Sequence, residues 1–284
     1  MLTMMAAALV VLATATHVDT TMGVKPGTRL EVDNFGGSVT VVAWPKNAVR
    51  VEADRPFRNR IMLDNSEGVL SLRSIGHMGP PGTVEYSLQV PKWMEIRISG
   101  VFNEASVSGT EAPVRIETVR GDVSVKGGRD FLELQTVEGS VTVEGARGRV
   151  EAHSVNQGVT VTDVEGEISA ESVNGEVVLK KIRSGQVECS SVNGDLDYDG
   201  ELREGGHYSF STHNGAITLA MPDKQNAVIT VSTFNGEFES AFPVSFTRTQ
   251  RGKRFRFTLG SGSADVELES FQGNIRLRRA GEGR

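Results

Sequence analysis

One octet returns along the chain in near-copies: SVNQGVTV from Ser154, SVNGEVVL from Ser172, SVNGDLDY from Ser191 and THNGAITL from Thr212. Looser versions begin at Thr118 (TVRGDVSV), Thr136 (TVEGSVTV), Thr233 (TFNGEFES) and Ser270 (SFQGNIRL). Taken in order, the steps between these Ser/Thr positions are 18, 18, 18, 19, 21, 21 and 37 residues. A repeat this short cannot bury an apolar face alone, so its copies have to stack, and that restricts the chain to a small set of repeat architectures.

Within each repeat, apolar residues lie two and four positions before the Ser/Thr, as in Ala170/Ile168, Cys189/Val187 and Phe210/Tyr208. A second alternating pair follows the glycine, as in Val123/Val125, Val141/Val143, Val159/Val161, Val177/Leu179 and Leu196/Tyr198. Period-two alternation marks half-buried strands, so each repeat contributes two. Asn-Gly between strands also suits hairpins, which would give an antiparallel meander. The near-constant step favours a solenoid, because stacking coil on coil explains why Val recurs above Val and Ser/Thr above Ser/Thr.

The pairs Asn174–Gly175, Asn193–Gly194, Asn214–Gly215 and Asn235–Gly236 are read as structural corners. Ser172 and Asn174 are expected to satisfy backbone groups, with Gly175 at positive φ. The row of asparagines read as a ligand ladder is the alternative. Gln157 is expected to add a residue and form a small bulge.

Residues 28–112 are strand and turn without a tight period and are read as an irregular N-terminal β cap, continuous with solenoid repeats over 113–280. The insertion between Thr233 and Ser270 is expected to seal the last coils with Phe242, Phe246, Phe255 and Phe257. The apolar run Leu2 to Ala15, ending Ala13-Thr14-Ala15, reads as a signal peptide over 1–15, although no basic residue precedes it. No other stretch is apolar for long enough to span a bilayer.

The 284 residues carry a formal charge of -6, which disfavours nucleic acid as a partner. Cys189 is the single cysteine and falls where Ala152 and Ala170 fall, so it reads as a core residue rather than a nucleophile. The five histidines show no zinc spacing. Asp195, Asp197 and Asp199 before Gly200 resemble the start of a calcium loop, but its twelfth position is Gly206, so they are read as the outer face of one strand that a cation could bridge weakly. No residue pattern assigns a cofactor or a catalytic group.

Outward Glu171, Glu176, Glu188, Asp195 and Asp197 are read as one long flat side suited to extended partners. Residues 117–204 are net acidic while 245–284 hold 9 basic and 4 acidic residues. Arg251, Lys253, Arg254 and Arg256 therefore either guard a strand edge or form a site for an anionic surface.

The opening NFGGSVTVVAWPKNAVRVEA (Asn34 to Ala53), VEYSLQVPKWMEIRIS (Val84 to Ser99) and the Gly-centred repeats together resemble a bacterial family of β-strand-repeat, adhesin-like proteins, the toastrack domains of unknown function. His213 departs from the Val or Phe usual in its column. The resemblance covers about Thr28 to Leu277 and implies a right-handed, β-helix-like fold and an exported or surface location, with no catalytic residues to carry over. The reading is an all-β, exported, non-enzymatic binding or scaffold module whose partner is an envelope protein or glycan. A polysaccharide-acting enzyme and a sensory ectodomain with a separate membrane partner are the alternatives.

Overall fold

A computed structural model describes residues 17–55, 59–76, 82–244, 247–248 and 253–281. The expected signal segment 1–15, His77, Phe246 and Arg251 lie outside the described residues. Every regular element among the described residues is a β-strand, and no helix there is long and apolar enough to cross a membrane. The chain divides into two compact units, one ending at Thr136 and one beginning at Val137.

In the second unit the repeats form a solenoid. Strands Val150–Ser154, Glu167–Ser172, Gln186–Ser191 and His207–Thr212 pair in parallel as one column. Strands Val141–Glu144, Val159–Thr162, Val177–Ile182, Leu196–Gly200 and Ile217–Met221 form the other. Parallel pairing between equivalent strands rules out the meander, which needs antiparallel neighbours. Val141, Val159, Val177, Leu196 and Ile217 stand in register and are fully buried. Val161 belongs to the adjacent row, with Val143, Leu179 and Tyr198.

Why Ser or Thr heads each repeat is settled at the corner. Ser154 Oγ donates to the Gly139 carbonyl (2.8 Å), Ser172 to Gln157 (2.8 Å), Ser191 to Gly175 (3.1 Å) and Thr212 to Gly194 (3.0 Å). Each buried hydroxyl thus ties its coil to the one before it, and Ser172 Oγ also accepts from the Gly175 N–H at 2.9 Å. The expected positive φ is absent: Gly175 does not adopt one. Its glycine is required by close approach instead, since a Cβ there would overlap the Gln157 carbonyl, and one on Gly194 would overlap the Gly175 carbonyl.

Gln157 makes no bulge. Val141, Val159 and Val177 keep step across it, so Gln157 fills the glycine place of the corner rather than adding to it. The register slips instead between Lys180 and Ile182, where Lys181 takes φ 54°.

At the far end, stacking order departs from chain order. His207–Thr212 pairs with Ala264–Ser270, which in turn pairs with Ala227–Thr233. Ile217–Met221 likewise pairs with Ile275–Arg279, and Phe238–Ser240 lies beyond that. The hydroxyl ladder follows the same order, Ser270 to the Gly215 carbonyl (2.9 Å) and Thr233 to Gly273 (3.4 Å). Lys253–Leu259 then covers Ala227–Thr233 antiparallel, Phe238 meets the rings of Phe255 (5.9 Å) and Phe257 (5.7 Å), and Phe242 is buried.

In the first unit parallel strand columns of its own begin before residue 113. The long strand Arg29–Trp44 runs parallel to Ile96–Ser108, pairing Leu30 with Ile96 and Val39 with Ala105. Ile96 and Ala105 pair in turn with Val114 and Val123. Residues 45–95 between these coils add hairpin-like edges, with Ala48–Asp54 antiparallel to His17–Gly23 and to Val84–Pro91. Asn34, fully buried at the bend of the long strand, donates to Asn103 Oδ1 (2.9 Å) and the Val84 carbonyl (3.0 Å).

Candidate functional site

The change of stacking order builds a trough on the outer face of the second unit, about 740 Å³ in volume. Its rows follow from strand alternation: with Leu196 and Tyr198 in the core, Asp195, Asp197 and Asp199 face outward. On the neighbouring coil, burial of Ile217 and Leu219 turns Ala216, Thr218 and Ala220 outward. On the coil after that, Ile275 and Leu277 are buried, and Arg276 and Arg278 face out.

Register fixes the levels, with Asp197 opposite Thr218 and Thr218 opposite Arg276. Asp199, Ala220 and Arg278 form the next level. Adjacent strands lie ~4.8 Å apart, so the acidic and basic rows stand roughly 10 Å apart across a floor of small side chains. Asp195 Oδ1 accepts from the Ala216 N–H at 2.8 Å, which pins one end of the acidic wall. Arg276 Nε donates to Glu239 at 3.1 Å on the outer side. Among the described residues, Arg278 has no carboxylate partner and no group of three His, Cys, Asp or Glu is placed to hold a metal ion.

The acidic side expected to be continuous is two surfaces. Glu171 and Glu188 lie on strands before the corner, while Glu176, Asp195 and Asp197 lie after it. Because the chain bends at each Asn-Gly, outward residues on either side of it belong to different strand columns.

The corner asparagines form a hydrogen-bonded ladder: Asn174 Nδ2 donates to Asn156 Oδ1 (3.0 Å), Asn193 to Asn174 (2.9 Å) and Asn214 to Asn193 (2.8 Å). Their amides serve one another. Asn235 stacks through its backbone on Phe271 rather than on Asn214. Beside this ladder His213, Phe271 and Phe234 stack nearly parallel, with centroids 4.8 and 5.0 Å apart, and Phe234 is 63% exposed. His213 thus fits its column as the first plate of a ring stack.

Of the basic candidates, Arg254 and Arg256 alternate with Phe255 and Phe257 and are exposed on one face of the covering strand, and Arg254 Nη2 lies 3.9 Å from Glu267. Lys253 pairs through its backbone with Thr233. Arg251 lies outside the described residues. Cys189 is 2% exposed between Ala170 and Phe210, and burial pushes its thiol far above the ordinary range, so it belongs to the core.

Sequence reasoning missed Arg276, Arg278 and the small-residue floor as parts of one site. Read in chain order, these arginines lie beyond the Thr233 repeat. Only the 37-residue step before Ser270 marked a place where the order could change.

A family model described as Toastrack DUF4097 matches residues 84–278, more than half of the chain. No curated protein matches it. Among solved structures, the crystal structure of a proposed cell adhesion protein from Clostridium sporogenes is 12% identical and covers 93% of this chain and 99% of its own, with a TM-score of 0.23.

Proposed function

The chain belongs to the Toastrack DUF4097 family, and on that premise we propose that it is a non-enzymatic binding or scaffold module exported to the cell envelope, in the periplasm or at the cell surface. The trough carries this reading. Its walls present opposite charges on a rigid parallel-strand face, a geometry that holds an extended partner in register. It is open along its length, whereas catalysis by preorganised charge gains most where water is excluded. The apolar run Leu2 to Ala15 with its Ala13-Thr14-Ala15 end supports export.

Two measurements test this. The purified protein, screened against envelope extracts and a glycan panel, is expected to retain a component that Thr218→Trp, which fills the floor of the trough, no longer retains. Equal retention by both proteins removes the trough from the function. Mass spectrometry of the native protein is expected to find the first 15 or so residues missing, as a small-residue cleavage site implies. An intact Met1 in a cytosolic fraction would contradict export.

A further inference from the structure

The trough has a polarity that selects the chemistry of its occupant. A polyanion lying in it meets the carboxylates of Asp197 and Asp199, and a polycation meets the guanidiniums of Arg276 and Arg278. Like charges held close cost affinity, so neither fits along the whole length. A neutral chain finds little to hold it on the floor, where Thr218 lies between two alanines. What fits is a partner with cationic groups on one edge and anionic groups on the other.

Spacing narrows this further. Asp197 and Asp199 are alternate residues of the strand Leu196–Gly200 and repeat every ~6.7 Å, with Asp195 at the corner just before them, and Arg276 and Arg278 repeat likewise on their strand. An extended peptide laid along the trough sends successive side chains to opposite edges with the same repeat. Its odd residues then face one wall and its even residues the other, the two sets offset by half a repeat, which long Lys and Glu side chains span. We infer that the trough binds an extended peptide of alternating charge, its basic side chains toward Asp195, Asp197 and Asp199 and its acidic side chains toward Arg276 and Arg278. This rests on the binding-module reading and names its ligand class.

Neighbouring charges leave that polarity in place. Lys180, in register with Asp199, and Glu176 line the trough on its acidic side, and Glu239 stands one coil beyond Arg276, so each row keeps its majority charge beside one opposite charge. The lining holds one more carboxylate than cation, which favours a segment with one more basic than acidic residue.

The test is fluorescence anisotropy with end-blocked Lys-Glu-Lys-Glu-Lys against its block isomer Lys-Lys-Lys-Glu-Glu, identical in composition and net charge. Exchanging two or three exposed ion pairs for like-charge contacts weakens the block isomer about tenfold. Binding of the alternating peptide should also weaken as salt is raised, since these pairs are exposed to screening. In Asp197→Lys/Arg278→Glu, whose substitutions lie on the outer face, that preference should be lost while thermal stability is kept. Equal affinity for the two isomers, absence of binding by either, or a preference that survives the double substitution overturns the inference. Retention of envelope material by the same two proteins separates the two ideas. If neither peptide binds and the double variant loses that material, the ligand class fails and the binding reading stands. If the variant retains it unchanged, the trough itself is excluded.

Discussion

The coils from Val150 to Gly200 and those from His207 to Arg279 share one hydroxyl ladder and one buried core, yet their outward positions differ in kind. In the first set the corners carry Val155, Val173 and Val192 beside hydrogen-bonded asparagines, and coils stack in chain order. In the second set the corners carry stacked rings, and the rearranged order sets a small and a basic row beside the acidic row that ends the first set. Inward positions thus determine that coils stack. The hydroxyl and glycine of a corner accept any coil carrying the same pair, whatever its place in the chain.

The sharpest way to break that comparison is a charge in the shared core. Val177 and Leu277 are both essentially buried, one in each set, so Val177→Asp and Leu277→Asp should each cost roughly 4 kcal/mol or more in urea denaturation. A mild loss at Leu277 would show that the rearranged coils are held by something other than a common core. Next in size is the glycine approach. Gly194→Ala and Gly273→Ala place a Cβ against the backbone of the preceding coil and should each cost about 2 to 3 kcal/mol, measured by the same unfolding curves, with Gln157→Ala within about 0.5 kcal/mol of wild type.

The hydroxyl rung comes third. Ser191→Ala leaves the Gly175 carbonyl without its 3.1 Å donor and should cost about 1 kcal/mol, while Thr233→Ala, with a longer 3.4 Å bond, should cost less. Equal losses would mean that the rung's strength is uniform and the longer distance is immaterial. Smallest are the outer ladders. Phe271→Ala removes a plate between His213 and Phe234 at a cost of about 0.5 to 1 kcal/mol, and Asn193→Ala at the solvent-facing amide ladder should cost only a few tenths of a kcal/mol in thermal melts.

Much of the fold was legible because the repeat is written in residue types with one physical use each. Val177 and Leu196 showed their column by alternation, and Cys189 showed its place by substituting for Ala170. Register inside the N-terminal unit was hidden because residues 45–95 separate the coil of Leu30 from that of Ile96, so no period was visible. The corner glycines misled for a different reason: positive φ and close approach demand the same residue, and one chain cannot distinguish them. Asp195, Asp197 and Asp199 were readable as one outward row, since alternation alone places them. Their opposition to Arg276 and Arg278 was not, since it depends on which coil lies beside which.

That rearrangement has a consequence for how the protein is made. The coils up to Ile217–Met221 can be laid down one after another as the chain leaves the ribosome, each on a finished surface. Ala227–Thr233 emerges next but has no seat, because its neighbour Ala264–Ser270 has yet to be synthesised. At a synthesis rate of roughly 5 to 20 residues per second, the growing chain spends some seconds with the His207–Thr212 edge open and a strand waiting beside it. During that interval the open edge can accept the wrong coil, from its own chain or from another. The step that completes the solenoid is therefore an insertion rather than an addition, and it is the step most exposed to misassembly.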